Sequence, residues 1–96
     1  MYITAEVVLP IRHHLMVRPG VSLEEIEGVI SHPQALAQCR KSLDRLLPHV
    51  PQSAATSTAE AAAIVARSDR PLAALGNRLA ATLNGLEVLK SDLQDL

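Results

Sequence analysis

The chain has 96 residues, 48% of them apolar, with one Tyr, no Phe and no Trp. Nine basic residues stand against ten acidic ones, which supplies neither the positive surface nor the stacking platform of a nucleic-acid binder. A single Cys excludes an internal disulfide framework and suits a reducing compartment, and no run approaches the roughly 20 apolar residues of a membrane span.

From Glu6 to Arg18 the sequence alternates, with Val7, Leu9, Ile11, Leu15 and Val17 on one side and Glu6, Arg12, His14 and Arg18 on the other. That period predicts a strand with one buried face. Pro10 has no amide donor and belongs at a bulge or an unpaired edge position, and "RPG" at 18–20 ends the strand in a turn. "VSLEEIEG" then carries a helix start: Ser22 as cap, Glu25 reaching back, Val21 stapled on Ile26. A short helix closed by Gly28 is expected. After a brief strand in "VIS", a helix opens at Pro33, whose missing amide has no partner in a first turn anyway. It runs to Pro48, with Leu36, Cys39, Leu43 and Leu46 on one face and Gln34, Gln38, Lys41 and Arg45 on the other.

Next comes a short extended stretch, and then Ser57 and Glu60 repeat the capping-box spacing ahead of an Ala-rich body that favours helix. "PLAALG" at 71–76 reads as a buried strand, "NRLAATLNG" as a helix closed by Asn84 and Gly85, and "LEVLKSDL" as a last strand or extended exit. Strands alternate with helices throughout, which predicts the α/β class. Residues 1–96 are read as a single domain: one small three-layer lobe with a mostly parallel, or mixed, sheet flanked by helices.

Three strand-to-helix junctions could carry chemistry: "SHPQ" at 31–34, "TSTAE" at 56–60 and "LGNR" at 75–78. In an open α/β sheet, ligands sit beyond the carboxyl ends of strands, where helix N-termini offer unpaired amides and partial positive charge. An anion suits that location. The hydroxyls of Ser31, Thr56, Ser57 and Thr58 and the amide of Gln34 add neutral donors. Plain capping competes with this reading, since a Ser before a helix contributes about 1 kcal/mol by capping alone. Of the four His, His13 falls on the apolar strand face and reads as a buried, hydrogen-bonded core residue. His14 points the other way, to a cleft or to solvent. His49 lies in a Pro-flanked loop without a role, and His32 stands at a helix entrance. Scattered His and one Cys give no metal-ligand spacing, no cofactor motif is present, and Cys39 reads as packing. The expected protein is soluble and cytoplasmic.

Four ordered blocks, "EVVLPIRHHL", "SHPQALAQC", "ATSTAEAA" and "LAALGNRLAATLNGLEVL", resemble the prephenate dehydratase family, lyases that convert prephenate to phenylpyruvate in L-phenylalanine biosynthesis. The resemblance implies two α/β lobes arranged like a type II periplasmic binding protein, with the active site between them, and residues 1–96 resemble the second lobe. It also implies that the first lobe, the Thr-Arg-Phe segment whose Thr has the key catalytic role, and the phenylalanine-sensing regulatory domain lie outside these residues. No catalytic residue is then expected within them, and activity from the chain alone should be nil or nearly so. On the family's pattern Ser31, His32, Gln34, Thr56, Ser57 and Thr58 bind prephenate or a related carboxylate through neutral donors. Asn77 departs from that pattern, in which Ser commonly follows the Gly. Two other readings remain: a carboxylate-binding module for aromatic keto acids without chemistry, and a self-associating structural fragment. Partners expected are the first lobe and a second copy, in a homodimer formed by exchange of a terminal strand, because a lobe without its neighbour exposes apolar surface.

Overall fold

The computed structural model describes residues 12–95; Glu6 to Ile11 of the predicted first strand, Pro10 among them, lie outside these. Among the described residues five strands form one sheet: β1 (His14–Val17), β2 (Gly28–Ser31), β3 (Gln52–Ala54), β4 (Leu72–Gly76) and β5 (Glu87–Lys90). Their order across the sheet is β3-β2-β4-β1-β5. β2 pairs in parallel with β3 and β4, while β1 pairs antiparallel with β4 and β5. The sheet is therefore mixed, in equal parts.

Period-two alternation along β1, β2 and β4 sorts the apolar side chains into two cores. Leu15, Val17, Val29, Ala73 and Leu75 point to one face, where Cys39, Leu43 and Leu47 cover them. Met16 and Ala74 point to the other, against Ala61, Ala62, Val65, Ala80 and Ala81. The first face belongs to α1 (Pro33–Gln38) and α2 (Arg40–Leu46), the second to α3 (Thr58–Arg67) and α4 (Arg78–Asn84). With no aromatic side chain among its described residues, the second core closes because Ala on both helices lets their backbones come near the sheet.

Three expectations need correction. β1 is not a strand with one wet face: it lies between β4 and β5, and all four of its residues are buried. His14 accordingly faces neither a cleft nor solvent; it is 4% exposed, and its Nδ1 accepts a hydrogen bond from the Asp92 amide at 3.2 Å. Burial first, and the nearby Arg78 guanidinium second, hold its pKa below the usual imidazole range. Next, the segment after Ser22 is only a single 3-10 turn, Leu23–Glu25, in which the Ser22 amide donates to Glu25 Oε1 at 2.8 Å. Gly28 opens β2 rather than closing a helix, and a Cβ on it would come within 3.1 Å of Leu72.

Finally, the helix predicted from Pro33 to Pro48 breaks at Cys39, whose φ of -111° and ψ of 15° leave the helical range. The last described residues satisfy two backbone groups at the break. The Asp95 amide donates to the Gln38 carbonyl at 2.6 Å, and the Asp95 carboxylate accepts from the Lys41 amide at 3.1 Å. Asp95 thus caps α2 where Cys39 has no side-chain cap. Residues 91–95 form a strap across this end of the sheet, anchored by buried Leu93, whose amide donates to the His13 carbonyl at 2.8 Å.

Cys39 is fully buried, and burial, with the Asp95 carboxylate adding to it, pushes its thiol up to about 11 from an ordinary 9.0. The unfolded chain ionises this thiol first as pH rises, so the contribution is intact below pH 9.0 and is lost progressively up to about 11. Denaturant unfolding from pH 8 to 11 should show a steeper alkaline loss of stability in the native chain than in Cys39→Ala, by about 2 kcal/mol across the window; parallel curves would contradict the assignment. Among the described residues no helix is long and apolar enough to cross a membrane.

Candidate functional site

β2 and β3 are adjacent and parallel, yet the helices that follow them leave to opposite faces, α1 to one and α3 to the other. Such a reversal parts the two connections and opens a crevice at the carboxyl ends of the strands. A cleft of about 310 Å³ lies there, lined by His13, His32, Gln34, Ala35, Gln38, Thr56, Ser57 and Thr58. Among the described residues its lining carries no Asp, Glu, Lys or Arg side chain.

Each wall is set by local sequence. Pro33 fixes the first residue of α1, and His32 caps it, Nδ1 accepting from the Gln34 amide at 3.1 Å. With Nδ1 so used, the neutral ring carries its proton on Nε2 and is a donor. Across the cleft Ser57 caps α3, its Oγ accepting from the Glu60 amide at 2.9 Å while its own proton stays free to donate. The Glu60 carboxylate accepts from the Thr56 amide at 2.8 Å, one residue earlier than the capping-box spacing anticipates. Its bonds to Thr56 hold that carboxyl below the usual range. The first-turn amides of Ala35, Thr58 and Ala59 have no intrahelical partner. Gly76, at the end of β4, lets the entrance of α3 sit close: a Cβ there would meet Met16 Cε at 3.1 Å and Thr58 Cβ at 3.4 Å.

The structure brings five of the six sequence-predicted residues together: His32 and Gln34 on one side, Thr56, Ser57 and Thr58 on the other. Ser31 stands apart. Its place in β2 turns it into the first core, fully buried, where its hydroxyl donates to the Leu75 carbonyl at 2.9 Å. Three lining residues, His13, Ala35 and Gln38, were not among the predicted ones. His13 is buried and hydrogen-bonded as expected of a core residue, but it also lines the cleft, because it precedes β1 at the same end of the sheet. Gln38 was placed opposite the apolar face of a continuous helix; the break at Cys39 leaves it half-buried at the end of α1, with Oε1 2.6 Å from His13 Nε2. Asn77 caps α4, its Oδ1 accepting from the Ala80 amide at 2.8 Å, and is not part of the lining.

Fold and cleft together define a small α/β lobe with a mixed sheet, open at a switch point and lined there by uncharged polar side chains. The prephenate dehydratase family profile matches residues 1–96. The chain belongs to that family. It is 43% identical over 96 residues to arogenate dehydratase/prephenate dehydratase 6, chloroplastic, of Arabidopsis thaliana, covering 99% of this chain and 23% of that one. It is 40% identical over 98 aligned positions to prephenate dehydratase of Bacillus subtilis (strain 168), covering 97% and 34%. The solved prephenate dehydratase from Arthrobacter aurescens, in complex with L-Phe, superposes with a TM-score of 0.84 at 37% identity, over 92% of this chain and 30% of that one. The chain thus spans about a quarter to a third of the length of these relatives.

Proposed function

We propose that residues 1–96 are the second lobe of a prephenate dehydratase catalytic domain and supply one wall of its substrate cleft, for conversion of prephenate to phenylpyruvate, carbon dioxide and water. The observation that carries this reading is the convergence of the α1 and α3 entrances on one opening lined by neutral donors. Neutral donors suit the chemistry. The ring carboxylate must surrender its charge as carbon dioxide leaves, and a cation beside it would stabilise the ground state more than the transition state. Hydroxyls, carboxamides and helix amides orient it without that penalty. The Arabidopsis relative is named for both arogenate and prephenate, and the two substrates share this ring carboxylate, so the wall's task is the same for either.

In this reading His32, Gln34, Thr56, Ser57 and Thr58 position substrate, and Ser31 supports the wall from beneath through Leu75. The proton for the departing hydroxyl comes from the family's Thr-Arg-Phe segment, with the first lobe closing the cleft. The 96 residues alone should release no measurable phenylpyruvate from prephenate, and adding a separately produced first lobe and Thr-Arg-Phe segment should restore turnover. A rate from the chain alone comparable with that of a full-length enzyme would overturn the proposal. A homodimer formed by exchange of a terminal strand, in the cytoplasm, belongs to the same proposal; Leu79 and Leu83, 62% and 74% exposed on α4, are surface such an assembly would cover. Sedimentation giving a monomer at high concentration would contradict it.

A further inference from the structure

We infer that His13 is a positioning residue for Gln38, fixing which end of that carboxamide faces the cleft. Gln38 Oε1 lies 2.6 Å from the ring Nε2; a carboxamide oxygen only accepts, so Nε2 carries the ring proton, the oxygen is held, and the two N–H groups of the carboxamide are left for the opening that Gln38 lines. A freely rotating carboxamide would offer oxygen and nitrogen alike. With its oxygen tied to His13, Gln38 is a donor only.

The backbones of both residues are pinned by one element. The His13 amide donates to Gln94 Oε1 at 2.9 Å, and the His13 carbonyl accepts from the Leu93 amide at 2.8 Å. The Gln38 carbonyl accepts from the Asp95 amide at 2.6 Å, and Asp95 in turn caps α2 through the Lys41 amide. The strap therefore holds donor and acceptor of the His13–Gln38 bond in register, from residues far along the chain. His13 is 7% exposed and acts through Gln38 rather than on a ligand. The consequence is a bias in polarity. Gln38 joins His32 Nε2–H and the hydroxyls of Ser57 and Thr58 as donors, so this part of the cleft favours carboxylate and keto oxygens.

The ligand part of this inference rests on the carboxylate-binding function proposed above; the His13 tautomer does not. Nitrogen-15 NMR of the ligand-free chain, well above the ordinary imidazole range, should show His13 protonated at Nε2. A proton on Nδ1 instead would mean that Gln38 donates to the ring and turns its oxygen to the cleft, which overturns the inference whether or not any ligand binds. Phenylpyruvate titration should find that His13→Leu and Gln38→Leu each weaken binding about tenfold, and that the double variant is no weaker than either. Additive losses would show that His13 acts independently of Gln38. If His13→Leu fails to fold, the tautomer decides the question. If phenylpyruvate does not bind the native chain while His13 is protonated at Nε2, the functional proposal fails and the positioning assignment stands.

Discussion

Thr58→Asp is expected to abolish carboxylate binding while leaving the fold at least as stable as before. Thr58 is the first residue of α3 and half-buried at the lip of the cleft. An acidic side chain in a helix's first turn interacts favourably with the helix dipole, by about 0.3–1 kcal/mol, so thermal unfolding should shift upward or not at all. The same carboxylate would face a bound carboxylate a few ångströms away. At an effective dielectric of about 20, like charges some 4 Å apart cost about 4 kcal/mol, so phenylpyruvate affinity should fall more than a hundredfold. Thr58→Val removes the donor without adding charge and should cost only about tenfold. Equal losses in the two variants would mean that ligand charge is not read at this helix entrance.

Leu15→Ala should take away a large share of the chain's stability. Leu15 is fully buried in β1, the strand that joins the parallel half of the sheet to β5, and it packs in the core covered by Leu43 and Leu47. Truncating a buried Leu costs about 2–5 kcal/mol, the upper part of that range where neighbours cannot collapse into the gap. β1 is hydrogen-bonded on both sides and cannot shift, so about 4 kcal/mol is expected, against the roughly 5–15 kcal/mol that holds a domain together. Leu83→Ala, at a site 74% exposed, should move the urea midpoint hardly at all. Comparable losses at both positions would show that the core is not where the alternation along β1 puts it.

Much of the lobe was legible from residues that act on their immediate neighbours. Ser22 with Glu25, Pro33, Ser57, Asn77 and Gly85 each mark an element boundary where the chain turns, because a cap is decided by atoms within a few residues. "PLAALG" was legible as a buried strand from its apolar run, and the Ala-rich helix from propensity. What stayed hidden depends on distant segments. Nothing near Cys39 announces a break, since the group that satisfies the freed amide is Asp95. His14 looked outward because a two-sided strand position requires knowing that the strap closes over it, with Arg78 of α4 nearby.

The site divides in the same way. The two helix entrances could be read as donors from their caps, and their meeting followed only once β2 and β3 proved adjacent with helices leaving to opposite faces. Ser31 was read with its neighbours in "SHPQ", but strand alternation sends it inward to Leu75. His13 and Gln38 were each assigned from the face of one element, and their bond spans two.

The most direct test of a shared carboxylate-binding opening is a phenylpyruvate titration of the chain followed by backbone and side-chain amide NMR. Saturable shifts should concentrate at His32, Gln34, Ala35 and Gln38 on one wall and at Thr56, Ser57, Thr58 and Ala59 on the other, with a common dissociation constant for both. Shifts confined to a single wall, or scattered over α2, α4 and the β3 edge, would contradict it.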